Sequence, residues 1–412
     1  MLADSPSATT GAALGPLSLP SFRRLWAGWT ITALAIQFYA VALVWLVLDI
    51  TGSGVNLGTV LVAAAVPRAA AMLVSGVLID RAQPRLLLLA ASATSATIVG
   101  LLALLLTLGW LPFLLLLALA AVQGLMDAFF YPTATAQLAR LVAPEQLPRA
   151  NALFQSSDSI ANIVGPGLGG IMVGLIGLAP AFALNSALFA LGGAVLWGLR
   201  GQGTGAVVGA PTDSFGAAIL AGMRYAWGQP AIRASLLMVA LLNFAAFGPT
   251  VVGGALLVER RFDGDSTLYG LMLAGYGVGA LVGGLGAGWL PPIRRPGVFL
   301  ALLLLALGVG MVLIGLAPAF WMVFALQALM GVATGVVSVV AISWLQGRTA
   351  EAMQGRMASL LIFSAVALDP FSNALSGALS EWSLTGLFVG AGGLMLLGGL
   401  LALLSRAVRS AS

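Results

Sequence analysis

The 412-residue chain is 60% hydrophobic and only 8% charged, with a mean hydropathy of +1.06. A soluble domain carries roughly 25% charged residues, so a water-soluble globular fold is excluded. A transmembrane barrel is excluded as well, because it would show alternating segments of about ten residues instead of apolar runs of about twenty. Cysteine and histidine are absent, which removes disulfides, thiolate metal sites and the commonest general base. The sequence has no Walker-type phosphate loop and no acid cluster in a loop, so an ATP-driven engine, a metalloenzyme and a membrane protease are not expected, and no cofactor or metal is called for. All basic residues are arginine, and the net charge of +5 reads as loops facing lipid headgroups, not as a nucleic-acid surface.

Residues 1–20, rich in Ser, Thr, Ala, Gly and Pro, predict a disordered tail. Apolar runs long enough to span a bilayer follow at roughly 24–48, 56–79, 86–108, 112–139, 148–176 and 180–199. After a break they recur at roughly 231–258, 267–290, 298–316, 320–346, 355–379 and 384–405. The expected fold is an all-α polytopic membrane protein of twelve transmembrane helices. The expected division is a six-helix bundle over 21–200, a linker over 201–230, a second bundle over 231–406 and a short tail over 407–412. The linker contains Gly201-Gln202-Gly203-Thr204-Gly205 and then a segment from Phe215 to Trp227 that predicts an amphipathic surface helix with Arg224 on its polar side.

Alternate loops divide the arginines unequally. All but three fall on the side of the two termini; Arg260 and Arg261 fall on the other side and Arg68 lies within a span. The positive-inside rule makes the arginine-rich side cytoplasmic, so the expectation is a multi-pass protein of the cell inner membrane with both termini cytoplasmic.

The two halves repeat weakly. Leu57-Gly58 aligns with Tyr269-Gly270, Gly76 with Gly288, Pro84 with Pro296, Gly124 with Gly331, Arg149 with Arg356, and Gly170 with Gly377. Two parallel six-helix copies related by an axis along the membrane normal are the architecture of rocker-type secondary transporters, with substrate held between the copies.

Gly76, Asp80, Arg81 and Arg85 form a charged hinge between the second and third spans. In outline this hinge resembles the G-x-x-x-D-R-x-x-R-R loop of the major facilitator superfamily. Gly165-Pro166-x-x-Gly169-Gly170 in the fifth span is similar to the G-P-x-x-G-G motif of exporters in that superfamily that exchange substrate for protons. Phe22-Arg23-Arg24-Leu25-Trp26, Leu48 to Ser53 and Tyr269-Gly270-Leu271 resemble its siderophore, macrolide and multidrug exporter branch. The resemblance implies the major facilitator fold, a proton gradient as energy source and a small-molecule substrate. It departs at the fourth span, where many such exporters carry R-x-x-Q-G and this chain has Ala120 before Gln123-Gly124. No acid stands near Ile36-Gln37 in the first span, where this branch often has one.

Charges inside spans are costly and are functional candidates by default. Arg68, Asp127, Asp158 and Asp369 qualify, and the expectation is one cavity lined by a cation and three carboxylates. The bland reading is that Arg68 pairs with Asp127 or Asp158 as an interhelix contact. Gln37, Tyr39 and Asn243 are the polar cavity candidates, with Trp45, Phe38, Phe244 and Phe247 as a possible apolar wall. The Gly165–Gly170 motif should bend its helix and permit close approach of another, sealing the outer side. Asp80, at a helix C-terminus where the dipole disfavours an acid, needs a cation such as Arg81, Arg85, Arg140 or Arg149 and would form a cytoplasmic latch.

The sequence therefore supports a monomeric secondary transporter, in contact with membrane lipids, that exports an amphiphilic drug-, macrolide- or siderophore-like molecule against protons. An importer, a lipid flippase and a non-transporting receptor are the alternatives.

Overall fold

The computed structural model describes residues 15–81, 83–199, 220, 223–291, 293, 295–349, 353, 357, 360–361, 363–364 and 366–409. These residues are mostly helical, with no strand among them. The first six spans are α1 (Pro20–Thr51), α2 (Gly54–Arg81), α3 (Pro84–Thr107), α4 (Phe113–Leu141), α5 (Leu147–Ile176) and α6 (Leu178–Trp197). The seventh is α7 (Pro230–Gly248), a π turn (Pro249–Gly253) and α8 (Gly254–Phe262) in continuous succession. Then come α9 (Ser266–Ala287), α10 (Pro296–Leu316), α11 (Phe320–Arg348), α12 (Asp369–Trp382) and α13 (Leu384–Leu404). Eleven of the spans are long and apolar enough to cross a bilayer among the described residues. Six positions of the eleventh predicted span, over 355–379, lie outside the described residues, all of them before 366; α12 covers its second part.

Local chemistry sets the helix ends. We call the side where α1 starts the near face. α1, α3, α5, α7 and α10 all start there with proline in the first two positions, where the missing N–H costs nothing and φ is already helical. At the far face Gly52 closes α1 with φ 57°, its N–H bonded to Leu48 O, a left-handed cap that glycine adopts without a Cβ clash. The Asp265 side chain caps α9 by accepting from the Thr267 and Leu268 amides at 3.0 and 3.2 Å. Ser383 caps α13 through the Gly386 amide at 2.9 Å.

Of the tail expected to be disordered over 1–20, residues 1–14 lie outside the described residues and 15–20 are ordered. A 3-10 turn at Pro16–Ser18 precedes α1, with Pro16 buried and the Ser18 hydroxyl donating to Gly15 O at 2.8 Å. The predicted surface helix of the linker is described only at 220 and 223–227, where Arg224 is exposed and Ala226 is buried against Ile232 and Trp344. The bend expected at Pro166 does not interrupt α5, which is a single helix through that residue.

The halves pack by one rule used twice. In the first half α2 packs on α4, α1 on α5 and α6, and α3 on α6; in the second α9 packs on α11, α7 on α12 and α13, and α10 on α13. Two further contacts join the halves: α5 with α9, and α2 with α12. These crossings are symmetry counterparts. A Cβ at Gly270 would stand 2.5 Å from Pro166 O and 3.0 Å from Gly170 Cα; one at Gly58 would stand 2.8 Å from Asn373 O. Gly170 abuts Ser266 O and Gly270 Cα, as Gly377 abuts Gly54 O and Gly58 Cα. The aligned glycines of the sequence repeat are thus the contact points of the two crossings. Gly124 on Ala64 and Gly331 on Tyr276 repeat the device within each half. Apolar burial does little to join helices in lipid, so close backbone approach through small residues supplies the contact.

Adding side-chain bulk to such a contact costs on the order of 1–3 kcal/mol. Gly270→Val is expected to prevent the α5–α9 crossing from closing. Because the protein has no cysteine, a single Cys introduced at Ser266, which is buried in that crossing, reports on it directly. Thiol labelling there should accelerate at least tenfold in the Gly270→Val background, and an unchanged rate would refute the role given to this glycine.

Candidate functional site

The exporter-like motif on α5 has two working faces. Gly165 and Gly169 face α1, where a Cβ would lie 2.5 Å from the Gln37 Cβ and 2.9 Å from Phe38 O. Pro166 O, Gly170 and Gly174 face α9 across the halves. The Ser266 hydroxyl donates to Gly170 O at 2.9 Å and secures that crossing. Toward the near face α5 carries Asn151, Gln155 and Asn162, all exposed, with Asp158 half-buried among them. The helix therefore changes from a polar, open wall to a tight glycine contact, and the last cross-half approach is Gly277 beside Asn162 O.

The four charges inside spans divide into two groups. Arg68 and Asp127 lie at the midpoints of α2 and α4. The Arg68 guanidinium acts electrostatically on Asp127 in its own half and on Asp369 in the other, yet neither is within ion-pair distance; the only such pair among the described residues is elsewhere. The Gln123 amide donates to Asp127 Oδ1 at 3.0 Å. Asp369 opens α12 and is buried, its Oδ1 without a partner, as is Asn373 Oδ1 one turn on. Asp158 is separate from this group. Its neighbours are the Trp29 indole and Tyr131, and Asn162 donates to its backbone carbonyl at 2.8 Å. The single four-charge cavity expected from the sequence is thus an Arg68–Asp127–Asp369 set and a distinct Asp158 cluster, because α5 and α2 take opposite crossings.

The other candidates fall as follows. Gln37 on α1 donates through its side-chain amide to Asn162 Oδ1, bridging α1 to α5. Tyr39 is buried, edge-on to Phe182 at 6.2 Å, its hydroxyl has no hydrogen-bond partner, and it lies within electrostatic reach of Asp127. Asn243 bonds back to Val239 O at 2.9 Å on its own helix. Phe38 is fully buried beneath Gly169 and forms no cavity wall. Trp45 stacks on Tyr269 across the halves at 6.4 Å, and the Tyr269 hydroxyl donates to Val251 O of the π turn at 3.1 Å. At the hinge, the side chains of Gly76, Asp80 and Arg81 lie outside the described residues. Arg85 donates to Trp197 O at 2.8 Å, capping α6 within its own half as Arg24 does through Gly198 O at 2.5 Å.

Sequence reasoning missed a lock on the far face. Arg260 at the end of α8 pairs with Glu381 at the end of α12, with N–O separations of 3.4 Å, and donates to Gly52 O at 2.7 Å. Glu381 Oε1 accepts from the Gly54 amide at 2.6 Å and the Ser53 hydroxyl at 3.3 Å. Two second-half side chains thus grip the α1–α2 turn of the first half. Arg261 fastens the neighbouring turns, donating to Gly315 O and Thr385 Oγ1, each at 2.6 Å. The available signal was that these are the only two arginines on that side of the chain.

Two six-helix halves that cross at two symmetry-related contacts, with charges placed within their spans, define a transporter of the rocker type. A family model described as transmembrane secretion effector matches residues 11–411. The chain belongs to this family, within the major facilitator superfamily, and is a multi-pass membrane transporter. It is 26% identical to the multidrug efflux pump Tap of Mycolicibacterium fortuitum over 90% of this chain and 91% of that one. It is 30% identical to the enterobactin exporter EntS of Shigella boydii serotype 18 over 75% of this chain and 73% of that one.

The lock has a pH dependence of known sign. Partial burial raises the Glu381 pKa, but the Gly54 amide, Arg260 and the Ser53 hydroxyl together hold it below the usual glutamate value. A depressed pKa contributes stability that is complete above the unfolded value, about 4.3, and is lost as the pH falls through the folded one. Mild acidification at the far face should therefore leave the lock closed. Labelling of Cys at position 266 is expected to stay slow until the medium is below the ordinary carboxylate range, and to be several-fold faster at every pH in Glu381→Gln. Equal rates in Glu381→Gln and its parent would show that the pair holds nothing shut.

Proposed function

We propose that this transporter exports an amphiphilic small molecule in exchange for protons by alternating access, and that the near face is cytoplasmic. Its arginine-rich loops support that orientation. Under it, the described conformation faces inward: the glycine crossings and the Arg260–Glu381 lock close the outside, while the polar wall of α5 opens toward the cell. The observation that carries the reading is this change along one helix face, from exposed Asn151, Gln155 and Asn162 to a backbone contact at Gly170. Tap and EntS, an efflux pump and an exporter by name, support export of a drug- or siderophore-like molecule.

Arg68 is the element that joins proton to motion. Its charge acts on a carboxylate of each half without an ion pair to either, and the α2–α12 contact is where the halves would move as they rock. Protonation of Asp127 would release Arg68 toward Asp369, and protonation of Asp369 would release it back, so the proton chooses which half the guanidinium holds. Reopening outward requires the inner side to close, and the Asp80 hinge is the latch for that state. Its partners are then Arg81, Arg85, Arg140 or Arg149.

Purified protein in liposomes tests this. An imposed proton gradient should drive substrate against its concentration, and Asp127→Asn and Asp369→Asn should each lower the gradient-driven rate at least tenfold while leaving the protein folded. Transport that ignores the gradient would remove the coupling.

A further inference from the structure

Asp158 is the one mid-membrane carboxylate that Arg68 does not serve. No cation is within ion-pair distance of it among the described residues, and Trp29 and Tyr131 stand beside it. Its surroundings are built from three helices. Trp29 of α1 is sandwiched between Phe130 of α4 and Phe154 of α5, with ring centroids 5.5 and 5.6 Å away and planes within 20° and 15° of parallel. Both faces of the indole are covered, and its buried N–H makes no hydrogen bond of acceptable geometry. Tyr131 stands edge-on to the same indole at 5.5 Å but is 51% exposed. Following Asp127 by one turn on α4, it presents an aromatic ring to the cleft beside the carboxylate. The exposed amides of Gln155 and Asn162 complete the wall on α5.

A half-buried carboxylate without a counter-charge is unfavourable unless something neutralises it. A protonated amine or quaternary onium ion is a suitable partner, because the adjacent Tyr131 ring attracts a cation through its negative face, and the cleft walls accept apolar substituents. An anionic ligand would meet the carboxylate and the negative ring face together. We infer that Asp158 and Tyr131 form a recognition subsite for the cationic group of an amphiphilic organic cation, with the Trp29–Phe130–Phe154 stack as its rigid floor. This rests on the transporter reading above and narrows its substrate class.

Two ions of matched shape and opposite charge decide the matter: tetraphenylphosphonium and tetraphenylborate. Binding to the purified, detergent-solubilised full chain, measured by calorimetry and thermal shift, requires no gradient, so its outcome is independent of whether transport is proton-driven. The phosphonium should bind and raise the melting temperature, and the borate should do neither. Asp158→Asn should weaken phosphonium binding at least tenfold, with Asp158→Glu recovering part of it. Tyr131→Leu should weaken it several-fold and Tyr131→Phe should not. Glu145→Gln, at an exposed near-face turn, should change nothing. Far-face cysteine labelling equal to the parent establishes that each variant is folded. Equal binding of both ions, absence of phosphonium binding, or phosphonium binding indifferent to Asp158→Asn in a folded variant would overturn the assignment.

Discussion

Everything in this molecule hangs on two places where backbone meets backbone. Helices in lipid gain little from burying apolar side chains against each other, so two six-helix halves need another reason to stay together. Gly170 with Gly270, and Gly377 with Gly58, let α5 meet α9 and α2 meet α12 at contact distances that any larger side chain would prevent. Because these contacts are mostly main chain, they carry little side-chain interdigitation that must be undone before the halves turn. The far-face lock adds a small, specific term, since a partly exposed ion pair contributes about 0–1 kcal/mol. A closure of that strength is firm enough to define a state and weak enough to be left within a transport cycle.

The charges break the symmetry that the glycines keep. Arg68 has no counterpart cation in α9, Asp158 aligns with no acid, and Asp369 aligns with Asn162. Coupling and recognition therefore reside in what differs between the halves, and pivoting in what they share. This division separates the roles of the buried acids: Asp127 and Asp369 answer to one guanidinium across a moving contact, whereas Asp158 is fixed to an aromatic stack inside a single half.

The architecture was legible because its signals are local. Span lengths follow from bilayer thickness, near-face starts are marked by Pro20, Pro84, Pro148, Pro230 and Pro296, and the repeat could be read because Gly58, Gly170, Gly270 and Gly377 have no side chain that could be exchanged without loss. The site was legible only as a list. An intramembrane charge announces itself by its cost, but which of Asp127, Asp158 and Asp369 shares Arg68 depends on how α2 and α5 are crossed by the other half. Tyr39 and Phe38 looked like cavity residues because helix number alone placed them there; the rotation of α1 turned them toward α6 and α5. The pairing of Arg260 with Glu381, far apart in sequence, has no local signature beyond two arginines on the wrong side for topology.

The π turn at Pro249–Gly253 bears on that pairing. Its Gly254 amide reaches back to Pro249 O, the wider spacing of a helix carrying one extra residue. One residue is about 100° of helical rotation, so everything in α8 is turned by that angle relative to an uninterrupted seventh span. Tyr269 holds the widened turn through Val251 O. In angular terms, the insertion sets the direction from which Arg260 approaches the α1–α2 turn and Glu381.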